Sequence, residues 1–295
     1  MVRFLPLVFI TGLISLSGAQ AAGAPYYKFW AGYQRLVWDE TAAKAFPEKG
    51  LAPGARFEST DFLNLLNRWL IPATTSCCAK ESLIAYLPVL RPEKLPGSVS
   101  IPDEMAIIVY KDKEAYERVR ADKNNPEAIV YGPLHALVFL MGEKTKPIST
   151  SYETTPFVGQ LESGHAYDVL NQAVDWQEGY SVFRILLGAV TEKTVDYVKS
   201  LAQTPGLLGH LVRVDGSRIL EYQNWKGAAD YRAAFPEGAE EFYRVELKPN
   251  EMQTKNPATE PLIYRSISWG EGATIRFTPG TKPGTVERHP LLPPN

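Results

Sequence analysis

Cysteine, histidine and any surplus of one charge are scarce in this 295-residue chain, and each scarcity removes a class of function. With 31 basic and 33 acidic side chains the net charge is −2, so no basic field exists to hold nucleic acid or anionic lipid. Only four histidines occur, and no H-x-H, H-E-x-x-H or paired aspartate cluster accompanies them, so no preformed metal site is expected. The two cysteines are neighbours, Cys77 and Cys78, without the C-x-x-C spacing of a redox or metal motif. Adjacent thiols bridge only through a strained ring, which leaves three readings open: two buried small residues, a vicinal disulfide, or an intermolecular link. Around Ser163 the sequence Gly159-Gln-Leu-Glu-Ser163-Gly164 lacks the G-x-S-x-G frame of a nucleophile elbow. Nor is there a long apolar run: Phe4 to Leu16 is shorter than the roughly 20 residues that span a bilayer.

That short run is still informative. Arg3 precedes it and a small-residue Ala19-x-Ala21 site follows it, the three parts of a secretory signal peptide over 1–21. Removal of Arg3 with the leader takes the net charge from −2 to −3. A periplasmic or secreted protein without stable membrane insertion is expected. The remaining chain has the length of two packed modules.

An internal echo divides it. Tyr110-Lys-Asp-Lys-Glu-Ala-Tyr116 returns 115 positions later as Trp225-Lys-Gly-Ala-Ala-Asp-Tyr231, each copy joining a strand to a helix. In the second half the periodicity predicts a strand over Tyr180–Gly188 and a helix over Thr191–Gln203 capped by Thr191. Strands over Leu207–Val214 and Arg218–Asn224 follow, turned by Asp215-Gly216. A helix over Lys226–Phe235 and a strand over Glu241–Lys248 complete the order β-α-β-β-α-β of ferredoxin-like folds. The first half gives the same order less tidily: strands over Tyr27–Gln34, Leu83–Leu90 and Met105–Tyr110, a fourth over Leu134–Leu140, and helices over Asp61–Leu70 and Lys113–Ala121. Boundaries follow at 22–144 for the first half, 145–179 for a linker and strand lead-in, 180–250 for the second half and 251–295 for an extension. The extension is expected to hold a hairpin around Gly270-Glu-Gly272.

At Ile219-Leu-Glu-Tyr-Gln-Asn-Trp225, followed by Ala-Ala-Asp-Tyr-Arg-Ala-Ala-Phe235, the chain resembles the dimeric α/β-barrel superfamily, particularly its antibiotic-biosynthesis-monooxygenase-like members, in which a third strand ends in Trp and the next helix presents an aromatic. The resemblance implies an α+β fold of two ferredoxin-like halves in one chain, forming a pseudo-dimeric α/β barrel around a lumen. It further implies binding of a small apolar or aromatic molecule, with cofactor-independent oxidation or isomerisation as the accompanying chemistry. The haem-degrading branch places a Trp nine positions beyond the one matching Trp225. Here that position is Ala234, so its mechanism does not carry over.

Strand alternation puts Tyr180, Val182, Arg184 and Leu186 on one face and Ser181, Phe183, Ile185 and Leu187 on the other. The same count groups Leu208, His210 and Val212 against Leu207, Gly209 and Leu211, and groups Ile219, Glu221 and Gln223. Arg184, His210, Glu221 and Gln223, with Tyr86 of the first half, are therefore the candidate lumen residues. Their Arg, Glu and His could orient an anionic ligand or tune a general base, or Arg184 and Glu221 could simply pair across neighbouring strands. His135 and His210 are the two histidines through which haem, the minor cofactor expectation, would bind; for His135 a hydrogen-bonded core residue is the competing reading. A non-enzymatic interaction module, using the aromatic stripe Tyr26, Tyr27, Phe29, Trp30 and Tyr33, is the alternative function. A lumen filled by Phe, Leu and Tyr would count against a ligand there.

Overall fold

The computed structural model describes residues 25–40, 43, 50–58, 61–62, 65–66, 70, 83–90, 102–121, 135–142, 147–172, 174 and 179–236, together with strand residues between 243 and 275. The expected leader, Cys77, Cys78 and the Pro-rich end lie outside them. The fold is mixed α+β. Its strands are β1 Tyr26–Gly32, β2 Leu83–Leu90, β3 Glu104–Tyr110, β4 Thr150–Pro156, β5 His165–Asp168, β6 Tyr180–Leu187, β7 Leu207–Asp215, β8 Arg218–Trp225 and β9 Tyr243–Leu247. Helices α1 Lys113–Ala121, α2 Glu192–Leu201 and α3 Ala228–Ala234 join them. Beyond β9 come β10 Gln253–Thr254, β11 Leu262–Tyr264 and an antiparallel hairpin of β12 Ile267–Trp269 with β13 Ala273–Ile275, where the sequence predicts one.

One sheet runs β10-β11-β2-β3-β1-β4-β5-β7-β8-β6-β9. Within it the order β2-β3-β1-β4 is matched by β7-β8-β6-β9: second, third, first, fourth strand of each set. The match extends to register. Tyr26 pairs with Tyr110 as Tyr180 pairs with Trp225, and Trp30 pairs with Ala106 as Arg184 pairs with Glu221. Both second strands carry an irregularity at the same place, between Leu83 and Ala85 and between Leu207 and Gly209, so that Tyr86 stands opposite Ile108 as His210 stands opposite Gln223. The echo marks equivalent corners. The rings of Tyr110 and Tyr116 lie 4.7 Å apart and those of Trp225 and Tyr231 5.8 Å apart, with Tyr26 and Tyr180 against the respective helix tyrosines.

The expected fourth strand of the first half is corrected. Residues His135 to Val138 form a helical turn in which Phe139 N–H donates to the His135 carbonyl at 2.8 Å, and Phe139 meets Gln34 in a single bridge. The outer edge of β1 is instead filled by β4, which came from the Thr/Ser-rich stretch expected as linker. An apolar run as short as 134–140 fits a strand or a helical turn equally well, and periodicity cannot decide between them. The rest of that stretch supplies β5, parallel to β4 and antiparallel to β7, which stitches the two sets into one sheet.

Local chemistry explains the second set. Thr191 accepts from the Thr194 N–H while the Thr194 side chain accepts from the Thr191 N–H, a reciprocal cap that starts α2. Gly216, with φ 58°, opens the two-residue turn between β7 and β8 at a position that favours glycine. Between the two sets lies a core of Tyr27, Phe29, Ala31, Leu87, Met105, Ile107 and Val109 against Ala166, Phe183, Ile185, Leu211, Leu220 and Tyr222. Phe29 meets Phe183 edge-on with ring centroids 5.9 Å apart, and Phe183 meets Tyr222 at 5.0 Å.

Arg213 joins the same core from β7. Its Nη1 donates to the carbonyls of Phe29 at 2.7 Å and Thr150 at 2.6 Å, its Nε and Nη2 reach Asp215, and Tyr152 stacks on it at 4.0 Å. Truncating Phe183 to Ala should cost about 3–5 kcal/mol. In denaturant melts the double variant Phe29→Ala/Phe183→Ala should lose less than the sum of the single losses, because the two rings share one contact.

Candidate functional site

The residues picked out by alternation do converge, but not in the space between the two strand sets. Phe183, Leu220, Tyr222 and Leu211 occupy that space, so their neighbours Arg184, Glu221 and His210 stand on the opposite face, under α2 and α3. The expectation of a polar-lined lumen is thus corrected. Alternation sorts side chains into two faces without saying which one a helix covers. The apolar set fills the inter-sheet core, and the polar set meets the tyrosine that α2 supplies. Leu207 also changes face relative to the simple count, because the irregularity after it makes Leu208 an extra residue; Leu207 packs with Trp225 and Tyr231 beneath the helices.

Glu221 is the hub. Its side chain is fully buried, as are those of Arg184 and His210. The Tyr197 hydroxyl of α2 donates to Oε2 at 3.1 Å and itself accepts from Arg184 Nη1 at 2.7 Å, while Arg184 Nη1 lies 3.9 Å from Oε2. Gln223 Nε2 reaches the same oxygen at 3.4 Å, and Trp225 Nε1 donates to Gln223 Oε1 at 3.1 Å. The other oxygen, Oε1, is 3.0 Å from His210 Nε2. Phe235, following α3, covers the guanidinium of Arg184 at 3.6 Å. Burial and the adjacent Glu221 charge raise the Tyr197 hydroxyl well above its ordinary pKa, so it stays a proton donor.

The arrangement has a chemical direction. A carboxylate can only accept, so Glu221 holds His210 with its proton on Nε2. In the neutral imidazole Nδ1 is then a lone pair, and this buried atom has no hydrogen-bond partner among the described residues. In its neutral form an imidazole held this way can accept a proton at the second nitrogen. Of the expected site residues, Arg184, His210, Glu221 and Gln223 form one network; the Tyr86 side chain lies outside the described residues. Tyr197 and Trp225 were missed as network members. Val195, Val198, Leu201 and Ala202 recur at helical spacing along this helix, and Tyr197 lies beside that stripe, so only its aromatic character signalled more.

The first set is built without this network. At the places of Arg184, Glu221 and Gln223 it carries Trp30, Ala106 and Ile108. It holds a smaller polar contact of its own, Trp30 Nε1 donating to buried Glu104 at 3.0 Å beneath the ring of His135, 5.2 Å from Trp30. His135 is therefore a core residue of a helical turn. The aromatic stripe is core as well: Tyr26, Tyr27, Phe29, Trp30 and Tyr33 are all buried and offer no partner surface.

No protein-family model and no curated protein matches the chain. Among solved structures it is similar to a putative monooxygenase of Fusobacterium nucleatum at 8% identity and a TM-score of 0.35, over 76% of this chain and 92% of that one. An anthrone oxidase-like protein aligns at 10% identity and a TM-score of 0.33, over 77% and 91%. A putative monooxygenase of Lactobacillus acidophilus aligns at 10% identity and a TM-score of 0.35, over 76% and 92%.

Tyr197 generates a pH prediction. Its folded-state pKa is raised, so the unfolded chain releases this proton near the ordinary 10.0 while the folded protein keeps it. Its contribution to stability is then fully present below 10.0 and lost as pH rises beyond it. Tyr197→Phe should lower stability at neutral pH by about 1–3 kcal/mol, since it leaves Glu221 short of a donor. Measured above pH 10.0, the same variant should show a shallower alkaline decline than the parent.

Proposed function

We propose that the protein is an exported small-molecule-binding protein built from two ferredoxin-like halves packed as a tandem pseudo-dimer. Its site lies on the helix-covered face of the C-terminal half, and its ligand is a small aromatic or otherwise largely apolar molecule with an ionisable proton. The single observation that carries this reading is His210 Nδ1, a buried atom without a hydrogen-bond partner among the described residues, on a ring held by an equally buried carboxylate. A polar atom left without a partner inside a fold is costly, and a catalytic role or a bound group is among the things that account for one.

The equivalent positions of the first half support it. Trp30, Ala106 and Ile108 occupy the same strand register, so the framework folds without charges there. A buried arginine, glutamate and histidine are not a cheap route to stability, because apolar residues of similar volume do as well or better. Trp225 and Phe235 touch the network at Gln223 and Arg184 and pack with Tyr231, so its neighbours are aromatic, as a flat apolar partner would require. Proton abstraction by His210 Nδ1, with Glu221 stabilising the imidazolium, is the first step common to a cofactor-independent oxygenase and an isomerase. No cofactor enters this reading. Haem remains a lesser one, in which His210 Nδ1 would be the ligand.

The test uses 1-naphthol and 1-tetralone as probes, neutral aromatic molecules with a removable proton. The parent should bind at least one of them, raising its melting temperature and quenching tryptophan fluorescence. His210→Asn should weaken that binding at least tenfold, about 1.4 kcal/mol. Lys113→Ala, a half-exposed residue of α1 paired with Glu153 in the first strand set, should leave it unchanged. Equal binding by His210→Asn and the parent would defeat the assignment.

A further inference from the structure

We infer that Trp225 is a positioning residue for the base: its indole N–H fixes the orientation of the Gln223 amide, and that orientation keeps His210 in the tautomer with Nδ1 bare. The inference rests on the proposed role of His210 and adds a requirement on how that role is maintained. An amide side chain can present either its oxygen or its nitrogen to a neighbour, and the two orientations have opposite consequences for a carboxylate. An indole nitrogen is a donor only. Because Trp225 Nε1 donates at 3.1 Å, it selects the amide oxygen, and the NH2 of Gln223 is turned toward Glu221 Oε2, 3.4 Å away. Were the amide reversed, its oxygen would face the carboxylate and repel it.

The chain of consequence is short. Trp225, Gln223 and Glu221 occur at i, i−2 and i−4 of β8, all on the helix-covered face and all buried. Glu221 so supplied with donors at Oε2, from Gln223 and Tyr197, keeps Oε1 for His210 Nε2. The first set of strands provides an independent comparison. Its counterpart of Gln223 is Ile108, and its counterpart of Trp225 is Tyr110; the amide and the indole are absent together. For pinning the helix to the sheet a tyrosine is enough there, since Tyr110 packs on Tyr116 as Trp225 packs on Tyr231. The indole N–H is the part of Trp225 that packing does not require.

The experiment reads the imidazole directly. In protein labelled with nitrogen-15 in histidine, His210 should show the Nε2–H tautomer at neutral pH. Trp225→Phe keeps a ring and removes the donor; Gln223→Met removes the amide and keeps the chain length. Each should raise the share of the Nδ1–H tautomer by roughly two- to tenfold, the worth of one hydrogen bond, and the double variant should add nothing further. A single folded variant is sufficient, because both report on the same link. An unchanged tautomer in either variant, or additive effects in the pair, would overturn the inference. The tautomer is read without ligand, so this result is separate from whether 1-naphthol or 1-tetralone binds.

Discussion

The constraint on which the second strand set of this molecule depends is the burial of one negative charge. Glu221 has no access to water, and a carboxylate in that position has to be surrounded by donors or it will not be tolerated. Tyr197 comes from a helix, His210 and Arg184 from the strands on either side, and Gln223 from the same strand two residues on. Four elements are thereby tied to one point. The cap on α2 made by Thr191, the irregularity at Leu208 and the pairing of β6 with β8 each place one member of that shell.

A second buried cation performs a different task. Arg213 lies on the inter-sheet face of β7 and holds backbone carbonyls of β1 and β4, so it joins the two strand sets through main chain. Around it the rings of Phe29, Phe183 and Tyr222 close the space between the sets. Architecture and chemistry are thus separated onto opposite faces of one sheet. The inner face is mainly apolar, with Arg213 as its buried charge, and makes the contact between the sets, while the helix-covered face carries Arg184, His210 and Glu221.

Much of this was legible in the sequence. The echo at Tyr110 and Trp225 located two corresponding corners, and the hairpin at Asp215-Gly216, the helix at Lys113–Ala121 and the strand at Leu83–Leu90 followed from turn chemistry and periodicity. Alternation also grouped Arg184, Glu221 and His210 correctly. What it could not supply was the direction of that face, because a strand with two buried faces has no polar side to mark the outside. The fourth strand of the first set was obscured for a related reason: Thr150–Pro156 is built of Thr, Ser and Tyr at a partly exposed position, and such a composition reads as a linker. Leu134–Leu140, apolar but for His135, read as the strand that β4 in fact is.

The most direct test of the central claim is a crystal of the protein soaked with 1-naphthol. The account predicts the naphthol ring on the helix-covered face of the C-terminal half, with its hydroxyl within hydrogen-bond distance of His210 Nδ1. Density for the ring among Phe29, Phe183 and Tyr222, between the two strand sets, would contradict it.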